Sequence, residues 1–160
     1  MAHLPFKAKL MKALIQRVTE ANVSIEDKKV GVIQSGLLVL LGVAPDDTQE
    51  DIDWLANKII NLRIFGDEEG KMNKALNDIN GELLIVSQFT LFASTKKGNR
   101  PSFIGSAPPL LANELYEKFI LKCKELSLSK VETGIFGADM KIGLINDGPV
   151  TILIDTKNKE

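Results

Sequence analysis

Gly36-Leu37-Leu38-Val39-Leu40-Leu41 is an unbroken apolar run behind a glycine. A half-exposed strand would alternate in polarity, so this run suits a strand buried on both faces. Leu83-Leu84-Ile85-Val86 is a second run of the same kind. Between them Thr48 is placed as a helix N-cap, with Asp51 as a short capping-box partner. Ile52, Leu55, Ile59 and Leu62 follow at helical spacing, and the offset Trp54 reads as packing on the helix flank. A second helix is predicted from about Leu110 to Leu126, with Leu111, Leu115, Phe119, Cys123 and Leu126 on one face. Further out, residues 12–19 have a strand pattern, and 23–25 with 30–33 form a short hairpin across Glu26-Asp27-Lys28. Residues 66–70 are an acidic turn, and Asn80-Gly81 is a hairpin signal. Strands are expected near Val131, over 140–145 and over 150–154. The order strands, helix, strands, helix, strands predicts one α/β domain with mixed sheets, spanning 11–160.

Composition narrows the function classes. The chain has 160 residues, 44% hydrophobic and 26% charged, with a formal net charge of −1. These values fit one globular domain with a real core. The charge argues against a protein that coats nucleic acid nonspecifically, and leaves room for a local basic patch that holds one RNA end. No apolar run approaches the ~18 residues of a membrane span, so no membrane partner is expected. One cysteine, Cys123, excludes an intrachain disulfide framework and fits a reducing, cytoplasmic compartment.

Residues 1–10 read as a tag remnant or a misassigned start, and Met11 opens the first clean strand pattern. That segment holds the one histidine, His3. The remaining domain therefore offers no Ser-His-Asp triad, Cys-His dyad or His/Cys metal site. Neither a metal nor a cofactor is expected. An enzyme on this chain works through hydroxyls, oriented backbone dipoles or the substrate itself.

Two stretches stand out as chemistry. Asn146-Asp147-Gly148-Pro149-Val150-Thr151 puts a Gly-Pro step where a central strand does not tolerate proline. Ser87-Gln88-Phe89-Thr90-Leu91 places two hydroxyls and an amide at the end of the second buried run. Read alone, the first is a trans turn opening a strand, and the second is a polar strand end with Phe89 in the core. The long irregular segment 93–109 carries Lys96, Lys97 and Arg100, and loops of this length are often functional.

Together with Gln16-Arg17-Val18, Gly36–Val43, Leu62-Arg63-Ile64-Phe65 and Arg100-Pro101-Ser102-Phe103, these stretches resemble the bacterial and eukaryotic D-aminoacyl-tRNA deacylases. The match runs from Met11 to about Asp155, with six pieces in order. The resemblance implies a compact three-layer β/β/α domain that forms a homodimer with its sites at the subunit interface. It also implies hydrolysis of the ester joining a D-amino acid, or mischarged glycine, to the 3′-terminal adenosine of tRNA.

The residue roles that follow are implied by that resemblance. The Gly148–Pro149 bond is cis, with both carbonyls turned to one side and reaching into the site of the other subunit. There they accept hydrogen bonds from the substrate's α-ammonium and block an L side chain, while a D side chain points away and glycine passes. Arg17 holds the motif in place. Ser87, Gln88, Phe89 and Thr90 surround the adenosine and the ester carbonyl, and backbone N–H groups near Phe89 and Thr90 bind the oxyanion. Thr90 is either a nucleophile or a positioning group. Nothing near it in sequence would activate it, which favours attack by water aided by the ribose 2′-OH. Phe136, Ala138 and Met140 are pocket walls, although periodicity alone makes Phe136 and Met140 core residues. Lys96, Lys97 and Arg100 contact tRNA phosphates. The alternative to an enzyme is a noncatalytic binder of the aminoacyl-tRNA acceptor end.

Overall fold

The computed structural model describes residues 11–159. Residues 1–10, with His3 and the expected tag remnant, lie outside the described residues. The elements are β1 (Lys12–Ile25), β2 (Lys28–Ile33), β3 (Gly36–Gly42), α1 (Gln49–Asn61), β4 (Phe65–Gly66), β5 (Met72–Lys74), β6 (Glu82–Ser87), α2 (Pro109–Leu126), β7 (Val131–Thr133) and β8 (Lys141–Asp155). Single 3₁₀ turns cover Leu76–Ile79 and Phe89–Phe92.

The two apolar runs are the neighbouring central strands β3 and β6, paired in parallel from Gly36 with Glu82 to Leu41 with Ser87. The sheet order is β2-β1-β3-β6-β7, with β8 on the other edge of β1, and β4 and β5 form a separate ribbon. Alternate side chains of β3 enter two different cores. Leu37, Val39 and Leu41 join Ala13, Ile15, Leu83 and Ile85 against Ile52, Leu55 and Ile59 of α1 and Leu115, Phe119 and Cys123 of α2. Leu38 faces the opposite way, into Val18, Ala21, Val23, Ile33, Leu84 and Val86. Burying each large aliphatic side chain contributes about 1.5–3 kcal/mol, so both faces of β3 are fixed by burial. Cys123 is fully buried within the first core, and burial pushes its thiol up to about 12.

The helix signals hold locally. The Thr48 N–H donates to Asp51 Oδ2 at 2.9 Å, closing one half of a capping box. Trp54 packs at the edge of the first core, with Lys159 Nζ 4.5 Å and Lys58 Nζ 5.5 Å from its ring.

Three features differ from the sequence reading. First, the expected strand over 12–19 and the first arm of the hairpin are one strand, β1. Register shifts between Gln16 and Val18 and between Val18 and Glu20 change which residues point inward. Burial therefore passes from Ala13 and Ile15 to Val18 and then to Ala21 and Val23, and strict alternation is lost. Second, Asn80-Gly81 makes no hairpin. Asn80, at φ 52°, caps the 3₁₀ turn and feeds β6 into its parallel pairing. Gly36 lies so close to the Glu82 main chain that any Cβ there would collide with it. Third, the strands expected over 140–145 and 150–154 are one strand, β8, with the Gly-Pro step inside it. β8 pairs with β1, and proline is tolerated there because the step is bulged out of the ladder.

Candidate functional site

The parallel pair β3 and β6 ends at Leu41 and Ser87, and ligands in α/β sheets sit beyond the carboxyl ends of such strands. A cavity of about 370 Å³ lies there, bounded by Leu41, Val43, Ser87, Gln88, Phe89, Phe103, Ser106, Ala107, Pro109, Ala112, Tyr116, Phe136 and Gly137.

Local hydrogen bonding makes its rim. The Gln88 N–H donates to Leu41 O at 2.7 Å, extending the ladder by one step. The chain then turns into the 3₁₀ turn Phe89–Phe92, whose first N–H groups, on Phe89 and Thr90, have no acceptor within the turn. That turn swings Phe92 inward to 9% exposure and Phe89 outward to 57%. Phe89 is thus a surface aromatic and not the core residue its strand position suggests. Its ring meets Phe103 edge to face, with centroids 5.2 Å apart. Gln88 Nε2 donates to Thr90 Oγ1, so the amide holds the hydroxyl.

The segment between this turn and α2 is tied down at its base. Ser94 and Ser102 exchange backbone hydrogen bonds of 2.8 and 2.9 Å, and the Ala107 N–H donates to Val43 O at 2.9 Å. Lys96, Lys97 and Arg100 are all exposed on the excursion between Ser94 and Ser102.

The cavity floor escaped the sequence reading. The Tyr116 hydroxyl donates to Ile85 O at 2.9 Å, linking α2 to β6 two residues before Ser87. Its ring lies 6.1 Å from that of Phe136. Burial raises the phenol far above its ordinary value, so it stays protonated. The available signal was helical spacing: Tyr116 directly follows Leu115 on the buried face of α2. Among the described wall residues, Tyr116 is the one ionisable group. Outside the cavity walls, between β3 and α1, Asp47 is buried, accepting from the Ala44 N–H at 2.6 Å and from Lys157 Nζ at 3.2 Å. Burial raises its carboxyl from 3.8 to about 6. Among the described residues, no group of three or more His, Cys, Asp or Glu side chains converges as a metal site.

The Gly-Pro step lies elsewhere. Gln16 pairs with Thr151 and Val18 with Asn146, so Arg17 alone faces the four residues 147–150. Those residues bulge out of the ladder, and Asp147, Gly148 and Pro149 are exposed. The Gly148–Pro149 peptide is cis, and Gly148 has φ +113°. Arg17 holds the bulge: Nε donates to Asp147 O at 3.2 Å and Nη1 to Ile64 O at 2.6 Å, and Nε lies 3.3 Å from Asp147 Oδ2. A Cβ on Gly148 would run into the Arg17 guanidinium. The bulge and Arg17 border a second hollow of about 490 Å³, with Phe65, Gly66, Gly70 and Met72.

Within one chain, then, Ser87, Gln88, Phe89 and Phe136 share one cavity, and Arg17, Gly148 and Pro149 share another hollow. Ala138 and Met140 line neither. Met140 packs against the second core.

These features define an α/β domain with an apolar cavity at its strand ends and a clamped main-chain bulge on its edge strand. The family model described as D-Tyr-tRNA(Tyr) deacylase matches residues 14–155, and the chain belongs to that family. A D-aminoacyl-tRNA deacylase of Cytophaga hutchinsonii is 63% identical over 150 residues, covering 94% of this chain and all of the relative. One from Thermosipho africanus is also 63% identical, over 92% of this chain and 98% of the relative. Among solved structures, a c-Myc DNA unwinding element binding protein superposes with a TM-score of 0.85 at 40% identity, covering 90% of this chain and 97% of that one. A probable eukaryotic D-amino acid tRNA deacylase shares the fold, with a TM-score of 0.79 at 18% identity over 91% of this chain and 99% of that one.

Proposed function

We propose that this chain hydrolyses the ester of D-aminoacyl-tRNA, and of glycyl-tRNA mischarged on non-cognate tRNA, as a homodimer in a three-layer β/β/α arrangement. One observation carries the dimer: the cavity at Ser87–Phe89 and the bulge at Gly148–Pro149 border different hollows of one chain. A second copy brings its bulge to the first copy's cavity. Exposed Ile145 and Leu153, on the same strand as the bulge, supply apolar surface for that contact.

The terminal adenosine occupies the apolar cavity. Lys96, Lys97 and Arg100 hold phosphates without reading sequence. The ester carbonyl lies at the Phe89 and Thr90 N–H groups, which stabilise the oxyanion. Water attacks the carbonyl carbon, the bond to the 3′ oxygen breaks, and that oxygen takes the proton. The absence of a basic side chain among the described wall residues supports proton transfer through the substrate's own 2′-OH, with Gln88 fixing the Thr90 hydroxyl as a positioning group. The carbonyls of Gly148 and Pro149 receive the α-ammonium. Their main chain fills the space where an L side chain would project, a selection by exclusion.

The same lack of a base favours a second reading, a noncatalytic binder of the acceptor end. Incubation with D-tyrosyl-tRNA and, separately, L-tyrosyl-tRNA decides. Rapid release of free D-tyrosine with L-tyrosyl-tRNA spared supports the hydrolase, and protection of both esters supports the binder. Equal cleavage of the two contradicts the exclusion mechanism.

A further inference from the structure

The bulge is held from two sides, and the second holder has no role in the mechanism so far. Arg17 grips it from outside through Asp147. At its base, Asn146 Nδ2 donates to Arg17 O at 2.9 Å and to Val150 O at 3.0 Å. Asn146 Oδ1 accepts from the Thr151 hydroxyl at 3.4 Å, and that hydroxyl accepts from Gln16 Nε2 at 3.4 Å. Residues 147–150 leave the ladder opposite Arg17. The carboxamide therefore supplies donors to carbonyls on both flanking strands across the gap, and it draws residues 146 and 150 together beneath Gly148 and Pro149.

We infer that Asn146 is a positioning residue for chirality: its carboxamide closes the base of the bulge and so sets where the Gly148–Pro149 main chain stands. This rests on the exclusion mechanism proposed above. A backbone wedge discriminates enantiomers only while it stays in place. A displacement of about 1 Å is enough to change rates about 10²-fold. Asn146 borders neither the cavity nor the hollow, so its loss acts through the wedge and not on the reacting atoms.

The test is Asn146→Asp in the full chain. Aspartate keeps the shape, removes both donors, and sets carboxylate oxygens against the Arg17 and Val150 carbonyls. The ratio of kcat/KM for D-tyrosyl-tRNA over L-tyrosyl-tRNA is expected to fall about tenfold or more, with KM for the D substrate little changed. Part of the selectivity is expected to return as pH falls and the new carboxyl regains an O–H donor. Should Asn146→Asp fail to fold, Asn146→Ser is measured in the same way. An unchanged ratio, or D and L rates that fall together, would overturn the inference. Wild-type protein that itself shows no D preference would instead overturn the exclusion mechanism and this inference with it.

Discussion

The cavity at the ends of β3 and β6 is recessed and apolar, with Tyr116 its one ionisable wall residue among those described. The 147–150 bulge stands out from its strand, with Asp147, Gly148 and Pro149 exposed and a guanidinium laid across it. Hydrophobic burial places the cavity, whose walls hang from two parallel core strands. Hydrogen bonds from Arg17 and Asn146 place the bulge, of which Val150 is the residue packed against the first core. The contrast matches a division of labour: an apolar recess to position an ester and orient dipoles, and a stiff piece of main chain to refuse one enantiomer. It also implies different sensitivities. Cavity changes should act through binding and stability, whereas bulge changes should act on handedness and rate with the core intact.

The largest expected effect lies at the bulge. Gly148→Ala puts a Cβ against the Arg17 guanidinium at a backbone φ of +113°, which alanine adopts only with strain. Either the guanidinium that holds the wedge or the strained main chain itself must shift, so hydrolysis of D-tyrosyl-tRNA is expected to drop about 10²-fold or more while circular dichroism of the fold is unchanged. A variant of near wild-type rate would break the contrast. Next is the salt dependence of tRNA binding. With Lys96, Lys97 and Arg100 all replaced by alanine, the slope of log affinity against log salt should shrink by about 2, at ~0.7 per lost phosphate contact. An unchanged slope in fluorescence titrations would remove the excursion from the tRNA interface.

Outside both regions, Asp47, between β3 and α1, sharpens the comparison through stability alone. Its folded carboxyl, at about 6, lies above the ordinary 3.8, so the fold favours the neutral form. That contribution to stability is fully present below pH ~4 and is lost as pH rises through about 6. Asp47→Asn removes the titration. Relative to wild type, the variant is therefore expected to gain on the order of 1–3 kcal/mol between pH 4 and pH 7.5 in urea unfolding. A difference that stays flat with pH would contradict the burial assigned to Asp47. The smallest effect is Thr90→Ala, which loses a hydroxyl held by Gln88. One such hydrogen bond contributes about 1 kcal/mol, so the rate should fall by less than about tenfold. Complete loss with intact binding would make Thr90 the nucleophile.

Much of the fold was legible because burial writes itself into composition. The runs at 37–41 and 83–86 marked the two central strands, and Thr48 with Asp51 marked the start of α1. What could not be read came from backbone geometry. The continuity of β1 hides behind register shifts that move burial from Ile15 to Val18 to Ala21. Asn80-Gly81 carries the same left-handed signal whether it closes a hairpin or caps a 3₁₀ turn. Phe89 points outward because the chain turns after Gln88, and an apolar residue at a strand end gives no warning of that. The family motifs marked Ser87–Thr90 and Gly148–Pro149, but Tyr116, Asp47 and the amide of Asn146 earn their places through contacts 31, 110 and 129 residues away in sequence. No local pattern encodes those.

Complementation between two damaged variants tests most directly whether cavity and bulge work together across two copies. One variant carries Gly148→Ala with its cavity intact; the other carries Phe89→Ala with its bulge intact. Each alone should be nearly inactive. After unfolding, mixing and refolding, half of the dimers are mixed and each mixed dimer has one undamaged pairing, so about a quarter of wild-type D-tyrosyl-tRNA hydrolysis should return. If the mixture stays as inactive as its parts while mixed dimers demonstrably form, the bulge does not complete the partner's cavity.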